Sequence, residues 1–292
     1  MSKDTNIAWC HHTASPWYIC TECSPGCANC YAKSLSKGRM RRITSGAWGR
    51  GVPRIQSKTF KANVLAWDRS AGRDGVRRRI FPSLMDWLDP EVPMKMFCDF
   101  LGVIRRTEHL DWLLLTKRPD RFLGRMTEAM ESPGGNIDCD DLISEWLVDE
   151  TPPPNVGIGV SVEDQDHDRR IAELLFIPAA MRFISAEPLL GSLKIFEGGC
   201  PHPIQTPKGV LLPPGAIHWV IVGGESGPNF RSPAVGWIRD IVDQCTMAHI
   251  PVFVKQDSGP LPGRQHRIPD EVWAQKEFPK PNQREEAQAM HS

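Results

Sequence analysis

Short apolar runs alternate with helical patterns along most of the chain, and this alternation restricts the fold more than any other feature. Three of the runs are "LDWLLLT" (110–116), "NVGIGVSVED" (155–164) and "IHWVIVGGESG" (217–227), and amphipathic patterns follow them. Strands that are apolar along nearly their whole length are buried on both faces, as in a parallel sheet covered by helices. The sequence therefore predicts an α/β fold, namely a full or partial (β/α) TIM-like barrel with surface insertions.

Polar and glycine residues follow the predicted strands at their C-terminal ends. Because these ends meet at one edge of a parallel sheet, we expect the side chains to line a common pocket, in a barrel or in an open doubly wound sheet. A single glutamate after a strand can equally cap the next helix. The residues concerned are Lys117, Ser161, Glu163, Ser185, Glu187, Gly223, Gly224, Glu225 and Lys255.

The pattern predicts one barrel domain over residues 1–263, with a basic insertion at 33–79. The segments 132–154 and 197–215 are rich in turn-forming residues and are expected to be surface insertions. The tail 264–292 is polar and contains proline, so we expect it to be peripheral or disordered.

Four of the nine cysteines fall in the eleven residues "CTECSPGCANC" (20–30), which we call the cysteine loop. The N-terminus lacks the apolar run of a signal peptide, so a cytoplasmic location is expected, where clustered thiols are more often metal ligands than disulfides. Zinc is one alternative, although its two C-x2-C pairs are usually a dozen or more residues apart. A ferredoxin-like electron-transfer cluster is another, although the order C-x2-C-x3-C-x2-C differs from the ferredoxin pattern.

Local charge is uneven although the chain is neutral, with 35 basic and 35 acidic residues. Residues 33–79 contain 14 lysines and arginines against only Asp68 and Asp74. This excess indicates either a solvated surface or a surface for a nucleotide, DNA or RNA. No apolar run approaches the roughly 18 residues of a membrane span, and no membrane partner is expected.

Several motifs together resemble a widespread family of phage and bacterial proteins, labelled as a domain of unknown function, for which a radical-SAM-like barrel is inferred. They include "ICTECSPGCANCYA", "LLLTKRPDRF", "RFISAEPLLG" and "WVIVGGESGPNFR", and the resemblance runs from about Ile7 to Gly259. It implies that three thiolates of the cysteine loop hold a [4Fe–4S] cluster. The open iron then binds S-adenosylmethionine (SAM), whose reductive cleavage gives a 5′-deoxyadenosyl radical that abstracts a substrate hydrogen.

The identity of the third cysteine ligand stays open between two residues. The family spacing C-x6-C-x2-C selects Cys20 with Cys27 and Cys30, whereas the more common radical SAM spacing C-x3-C-x2-C selects Cys23. Where radical SAM enzymes usually have an aromatic residue before the last cysteine, this chain has Asn29.

The resemblance also implies roles for the strand-end residues. Ser161, Ser185, Gly223, Gly224 and Glu225 are expected to bind SAM, and Lys117, Glu163, Glu187 and Lys255 are expected to serve catalysis.

The leading hypothesis is an iron–sulfur, SAM-dependent radical enzyme that needs a reductant and acts on a phosphate-bearing substrate. The alternative is a non-catalytic nucleic-acid-binding protein that contains zinc or a cluster. A third hypothesis is a hydrolase that uses Glu163, Glu187 and Glu225 as acid and base, with purely structural cysteines.

Overall fold

The computed structural model describes residues 2–132, 136–196 and 216–279. These residues fall into two compact units. Unit 1 contains residues 2–23, 30–132, 136–157 and 178–180, and unit 2 contains residues 24–29, 158–177, 181–196 and 216–279. The predicted insertion 197–215 and the last part of the predicted tail, from residue 280, lie outside the described residues.

Unit 1 carries strands whose hydrogen-bonded order is β1-β2-β5-β6, with β7 beginning beside β6 at Val156. The β1–β2 pair is antiparallel, whereas β2–β5 and β5–β6 are parallel, and β3 and β4 form a separate antiparallel pair. The elements of unit 1 are β1 (Ser2–Lys3), β2 (His12–Thr13), β3 (Trp17–Tyr18), α1 (Tyr31–Lys37), α2 (Arg41–Thr44), β4 (Ile55–Gln56), α3 (Phe60–Asp74), β5 (Arg78–Phe81), α4 (Met94–Arg105), β6 (Leu110–Thr116), α5 (Phe122–Met130), α6 (Ile137–Leu147) and the first residues of β7 (Val156–Ser161).

Unit 2 contains strands in the order β7-β8-β9-β10, and the β8–β9 and β9–β10 pairs are parallel. All five residues of β9, "WVIVG", are buried, as expected for a strand covered on both faces. The further elements of unit 2 are α7 (Arg169–Leu175), β8 (Met181–Ala186), β9 (Trp219–Gly223), α8 (Val235–Met247), β10 (Val252–Gln256) and α9 (Asp270–Trp273).

The predicted α/β class is therefore confirmed, with strands that pair mostly in parallel. The finer prediction of a TIM-like barrel stays a prediction. Among the residues that the structure describes, no helix has the length and hydropathy needed to cross a bilayer.

The segment 132–154, expected from its turn-forming residues to be a surface insertion, is not a loop throughout, because helix α6 occupies 11 of its 23 residues. The Asn136 side chain caps the helix by accepting a hydrogen bond from the Asp138 amide at 3.2 Å. Buried residues then recur at helical spacing, at Leu142, Ile143 and Trp146. The turn-forming residues before the cap and after the helix concealed this periodicity.

The described part of the predicted tail, residues 264–279, is tied to β10. The Val254 amide donates to the Gln275 carbonyl at 2.9 Å, and the Glu277 amide donates to the Val252 carbonyl at 3.0 Å. Backbone pairing of this kind fixes the segment along the strand.

Candidate functional site

The first part of the cysteine loop is fixed in unit 1 through Thr21. The Thr21 amide donates to Asp89 Oδ2 at 2.9 Å, and the Thr21 carbonyl accepts a hydrogen bond from the Arg118 guanidinium. Asp89 is fully buried and forms an ion pair with Arg54 at 2.6 Å. Thr21 therefore has both backbone groups bound to buried charged residues, and the loop is positioned at this point.

Arg118 interacts electrostatically with the first two loop cysteines, Cys20 and Cys23. Burial opposes its charge, but the carboxylate of Asp86, with Nη1–Oδ2 at 2.8 Å, and the thiols of Cys23 and Cys20 outweigh burial and raise the pKa of Arg118. Arg118 therefore remains a cation. A fixed cation beside a thiol favours the thiolate, which is the form that binds metals.

Lys117, which was predicted to serve catalysis, follows β6 in a turn organised by Asp86. The Lys117 amide donates to Asp86 Oδ2 at 3.0 Å, and the Thr116 hydroxyl donates to Asp86 Oδ1 at 2.6 Å. The Lys117 side chain is half-buried. Sequence reasoning missed the anchoring roles of Asp86 and Asp89, although the run "MDWLDP" after β5 was a visible signal.

In unit 2, the segment Ser24–Asn29 of the cysteine loop contains a 3₁₀ turn over Pro25–Cys27. The Ser24 hydroxyl donates to Glu163 Oε1 at 2.6 Å. A Cβ atom at Gly26 would lie 2.4 Å from the same oxygen, a distance that real Cβ atoms do not adopt. Glycine is therefore required here for the loop to approach the carboxylate.

Glu163 uses both carboxylate oxygens inside unit 2. Its side chain is fully buried, and Oε2 accepts a hydrogen bond from Arg170 Nη1 at 2.7 Å. Arg170 also donates to the Ser161 carbonyl at 2.7 Å, which ties the end of β7 to α7. A buried carboxylate with a buried arginine partner and a hydroxyl donor anchors the loop segment, and in this conformation it is shielded from solvent.

Glu225 provides the second contact with the segment. Its Oε2 accepts from Asn29 Nδ2 at 3.0 Å, and its Oε1 accepts from Arg231 Nη2 at 2.6 Å. Burial opposes the charged form, but the hydrogen bonds from Arg231 and Asn29 together lower the pKa of the Glu225 carboxyl. Arg231 also donates to the Pro25 carbonyl at 3.0 Å, so the ion pair and the loop are one network.

The two glycines that precede Glu225 pack against neighbouring backbone. The Gly224 amide donates to the Gln256 carbonyl at 2.9 Å, and a Cβ at Gly224 would lie 2.4 Å from the Ser258 amide nitrogen. The Gly223 carbonyl accepts from the Leu189 amide at 2.9 Å. The close approach explains why Gly224 is a glycine, whereas a Cβ at Gly223 would lie 3.3 Å from the Gln256 carbonyl oxygen, which is tight but not prohibitive. The predicted role of both glycines in SAM binding stays a prediction.

Glu187, which follows β8, forms an ion pair with Lys255, the penultimate residue of β10. Their side chains remain 14% and 18% exposed, whereas Glu163 is fully buried. The predicted SAM ligands Ser161 and Ser185 are buried at the ends of β7 and β8. The Glu187–Lys255 pair is therefore a partly accessible pair of opposite charges at the strand ends of unit 2.

The four loop thiols are at least partly accessible to solvent. Cys23 is exposed, and Cys20, Cys27 and Cys30 are half-buried. Among residues 2–132, 136–196 and 216–279, no group of three or more histidine, cysteine, aspartate or glutamate side chains is arranged to hold a metal ion. The donor chemistry, four thiols in eleven residues, suits a soft metal or an iron–sulfur cluster.

A cavity of about 300 Å³ lies within unit 1, and none of the predicted site residues lines it. It is lined by Trp17, Phe60, Phe100, Lys61 and Arg106, among others, and by none of the cysteines. It therefore gives no support to a SAM site.

The fold and the loop together define a class: an α/β protein with mostly parallel strands, whose cysteine loop is bound by carboxylates that follow the strands. The chain belongs to the family described as "Protein of unknown function (DUF5131)", whose model matches residues 4–277. The predicted family resemblance is confirmed to that extent. Neither curated proteins nor solved structures gave a match to the chain.

Proposed function

We propose that the chain is an iron–sulfur, SAM-dependent radical enzyme built on a partial (β/α) barrel. The observation that carries the proposal is the binding of the segment Ser24–Asn29 by Glu163 and Glu225, two carboxylates that follow strands of unit 2. α/β enzymes place their reacting groups at the C-terminal ends of strands. A cysteine loop bound to these carboxylates is well placed to serve such a site.

Cys27, Cys30 and either Cys20 or Cys23 would hold a [4Fe–4S] cluster, since thiolates are the usual ligands of such clusters. Arg118 would favour the thiolate form of the first pair. When bound and reduced, the cluster supplies the electron for cleavage of the sulfonium centre of SAM.

The chain's own residues would position the reactants. The Glu163–Arg170 and Glu225–Arg231 pairs hold the loop backbone. Glu187 and Lys255 would serve catalysis by positioning SAM, whose methionine part carries an ammonium and a carboxylate that complement these partly exposed side chains. SAM would therefore replace the internal ion pair with two charged hydrogen bonds of its own.

The proposed partners are a cytoplasmic reductant and a phosphate-bearing substrate, without a membrane. The proposal of a phosphate-bearing substrate rests on the basic residues that follow the cysteine loop in the sequence.

Reductive cleavage of SAM tests this proposal. Anaerobically reconstituted protein is incubated with dithionite and SAM, and 5′-deoxyadenosine is quantified by mass spectrometry. Glu187→Gln and Lys255→Met should each weaken SAM binding about tenfold to a hundredfold, because a hydrogen bond to a charged group contributes about 1.5–3 kcal/mol.

Glu271→Gln is the matched control, because it removes a glutamate from an exposed ion pair with Arg239. It should leave SAM binding unchanged. A protein that holds its full cluster and never forms 5′-deoxyadenosine would contradict the enzyme proposal.

The second candidate function is a non-catalytic nucleic-acid-binding protein that contains zinc or a cluster. One observation favours it: the exposed basic side chains of residues 37–50, for which the structure records no ion pair with described residues. Stoichiometric zinc in protein purified without added metal would support this candidate over the enzyme.

A further inference from the structure

Residues 31–50, which follow the cysteine loop in unit 1, include helices α1 and α2. The packing of these helices leaves several lysine and arginine side chains exposed to solvent. Helices α1 and α2 contact each other. Ala32, Ser36 and Thr44 are buried on their inner side. The Thr44 hydroxyl donates to the Ser36 carbonyl at 2.8 Å and connects the two helices. The basic side chains of this segment are therefore carried by ordered backbone.

Five cations of the segment are exposed, and the structure records no ion pair for any of them among the described residues. We call these five residues the basic surface. They are Lys37, Arg39, Arg41, Arg42 and Arg50.

Two other basic residues close in the sequence differ from the basic surface because each forms an ion pair. Arg54 is buried and paired with Asp89 at 2.6 Å, and Lys33 is paired with Glu22. No acidic residue occurs between Glu22 and Asp68, so neighbours in the sequence cannot neutralise the basic surface. The repulsion among these cations is uncompensated within the segment.

We propose that the basic surface binds the phosphodiester backbone of a nucleic acid. Five cations within fourteen residues are more than one phosphate group requires, whereas a polynucleotide presents phosphates repeatedly along its length. Four of the five are arginines, whose planar guanidinium group binds phosphate oxygens in pairs. The surplus is local, since the whole chain has 35 basic and 35 acidic residues.

An anionic membrane is the competing polyanion, and the segment fits it less well. Interfacial helices bury a continuous apolar face, whereas α1 has seven residues, α2 has four, and both bury their inner side in the protein. Tyr31 and Ile43 are the large exposed apolar side chains among residues 31–50. Two such side chains do not form an insertion face.

The inference extends the proposed function by naming the substrate class, and it rests on that function only for the chemistry that would follow binding. Binding itself depends on charge and requires neither a cluster nor SAM. Failure of one proposal is therefore distinguishable from failure of the other, because the cluster and 5′-deoxyadenosine measurements do not depend on the basic surface.

The test is fluorescence anisotropy with labelled single-stranded RNA, single-stranded DNA and duplex DNA, between about 50 and 200 mM salt. The full chain should bind with a steep loss of affinity as salt rises. The triple variant Arg39→Gln/Arg41→Gln/Arg42→Gln should reduce the slope of log affinity against log salt by about 2 for a single strand, since each lost phosphate contact accounts for about 0.7. The RNA and DNA arms identify the natural source of the backbone.

The matched control removes the same charge from exposed positions outside the basic surface, at Arg121, Arg169 and Lys194. This Gln triple variant should retain the parental slope. The proposal is overturned if the two triple variants lose affinity equally, if the parent binds no oligonucleotide at low salt, or if it binds only vesicles that contain phosphatidylserine. Circular dichroism checks that both variants are folded.

Discussion

Replacing Glu163 with glutamine should destabilise the protein and release part of the cysteine loop. The substitution keeps the shape of the side chain but removes the charge that balances Arg170, whose side chain is 5% exposed. Breaking a buried ion pair typically costs about 3–5 kcal/mol. Glutamine still accepts a hydrogen bond from Ser24, so we expect the lower end, about 3 kcal/mol. For a chain of this size the melting temperature should fall by roughly 6–12 °C.

Differential scanning calorimetry measures the fall, and hydrogen exchange locates it. The Cys27 amide donates to the Ser24 carbonyl at 2.9 Å, so its exchange should become faster in Glu163→Gln. The matched control is Glu271→Gln, because the Arg239–Glu271 pair has the same 2.7 Å separation as Arg170–Glu163 but is exposed. This control should leave the melting temperature unchanged.

A double variant separates the pair from its surroundings. In Glu163→Gln/Arg170→Met no buried charge is left without a partner, so part of the lost stability should return. Equal melting temperatures for Glu163→Gln and Glu271→Gln would refute the reasoning that burial makes Glu163 an anchor.

Two further variants test other contacts of the same loop. Gly26→Ala places a Cβ 2.4 Å from Glu163 Oε1 and should reduce the amount of cluster that the protein incorporates. In the control Gly124→Ala no atom lies within 4 Å of the added Cβ, so cluster incorporation should not change. Equal iron content in the two variants would contradict the close approach of Gly26 to Glu163. Glu225→Gln tests the contribution of the Glu225 charge to stability. The pKa of the Glu225 carboxyl in the folded protein lies below the ordinary 4.5. The charge therefore stabilises the fold fully above the unfolded-state pKa, and this stabilisation is lost as the pH falls through the folded-state pKa. The difference in melting temperature between the parent and Glu225→Gln should therefore shrink in acid, and a difference independent of pH would argue against the ion pair.

The strands were predictable from the sequence because a strand that is buried on both faces is a continuous apolar run. All residues of β7 and β9 are buried, and their apolar runs are visible without any knowledge of partners. Helix α6 was missed because glycines and prolines on either side outweighed its buried 3.6-residue period. The local composition of this segment indicates a loop, whereas the burial of one face against the rest of unit 1 stabilises a helix.

For the candidate site, the sequence predicted which polar residues follow the strands but not which residues they contact. Glu163 and Glu225 were recognised, but their partners were not, because Ser24 lies 139 residues from Glu163 and Asn29 lies 196 residues from Glu225. No local periodicity encodes contacts of that separation. Arg170 and Arg231 could have been suspected, since they follow their glutamates by seven and six residues, Arg170 in helix α7 and Arg231 in the loop before α8.

The cysteine ligands test the central claim most directly. Anaerobic reconstitution with iron and sulfide should give a brown protein with absorption near roughly 400 nm and about four irons per chain. Cys27→Ser and Cys30→Ser should each abolish this absorption, one of Cys20→Ser and Cys23→Ser should do so as well, and Cys245→Ser, at a buried position in α8, should retain it. Stoichiometric zinc without retained iron, or a full cluster in Cys27→Ser and Cys30→Ser, would contradict the account.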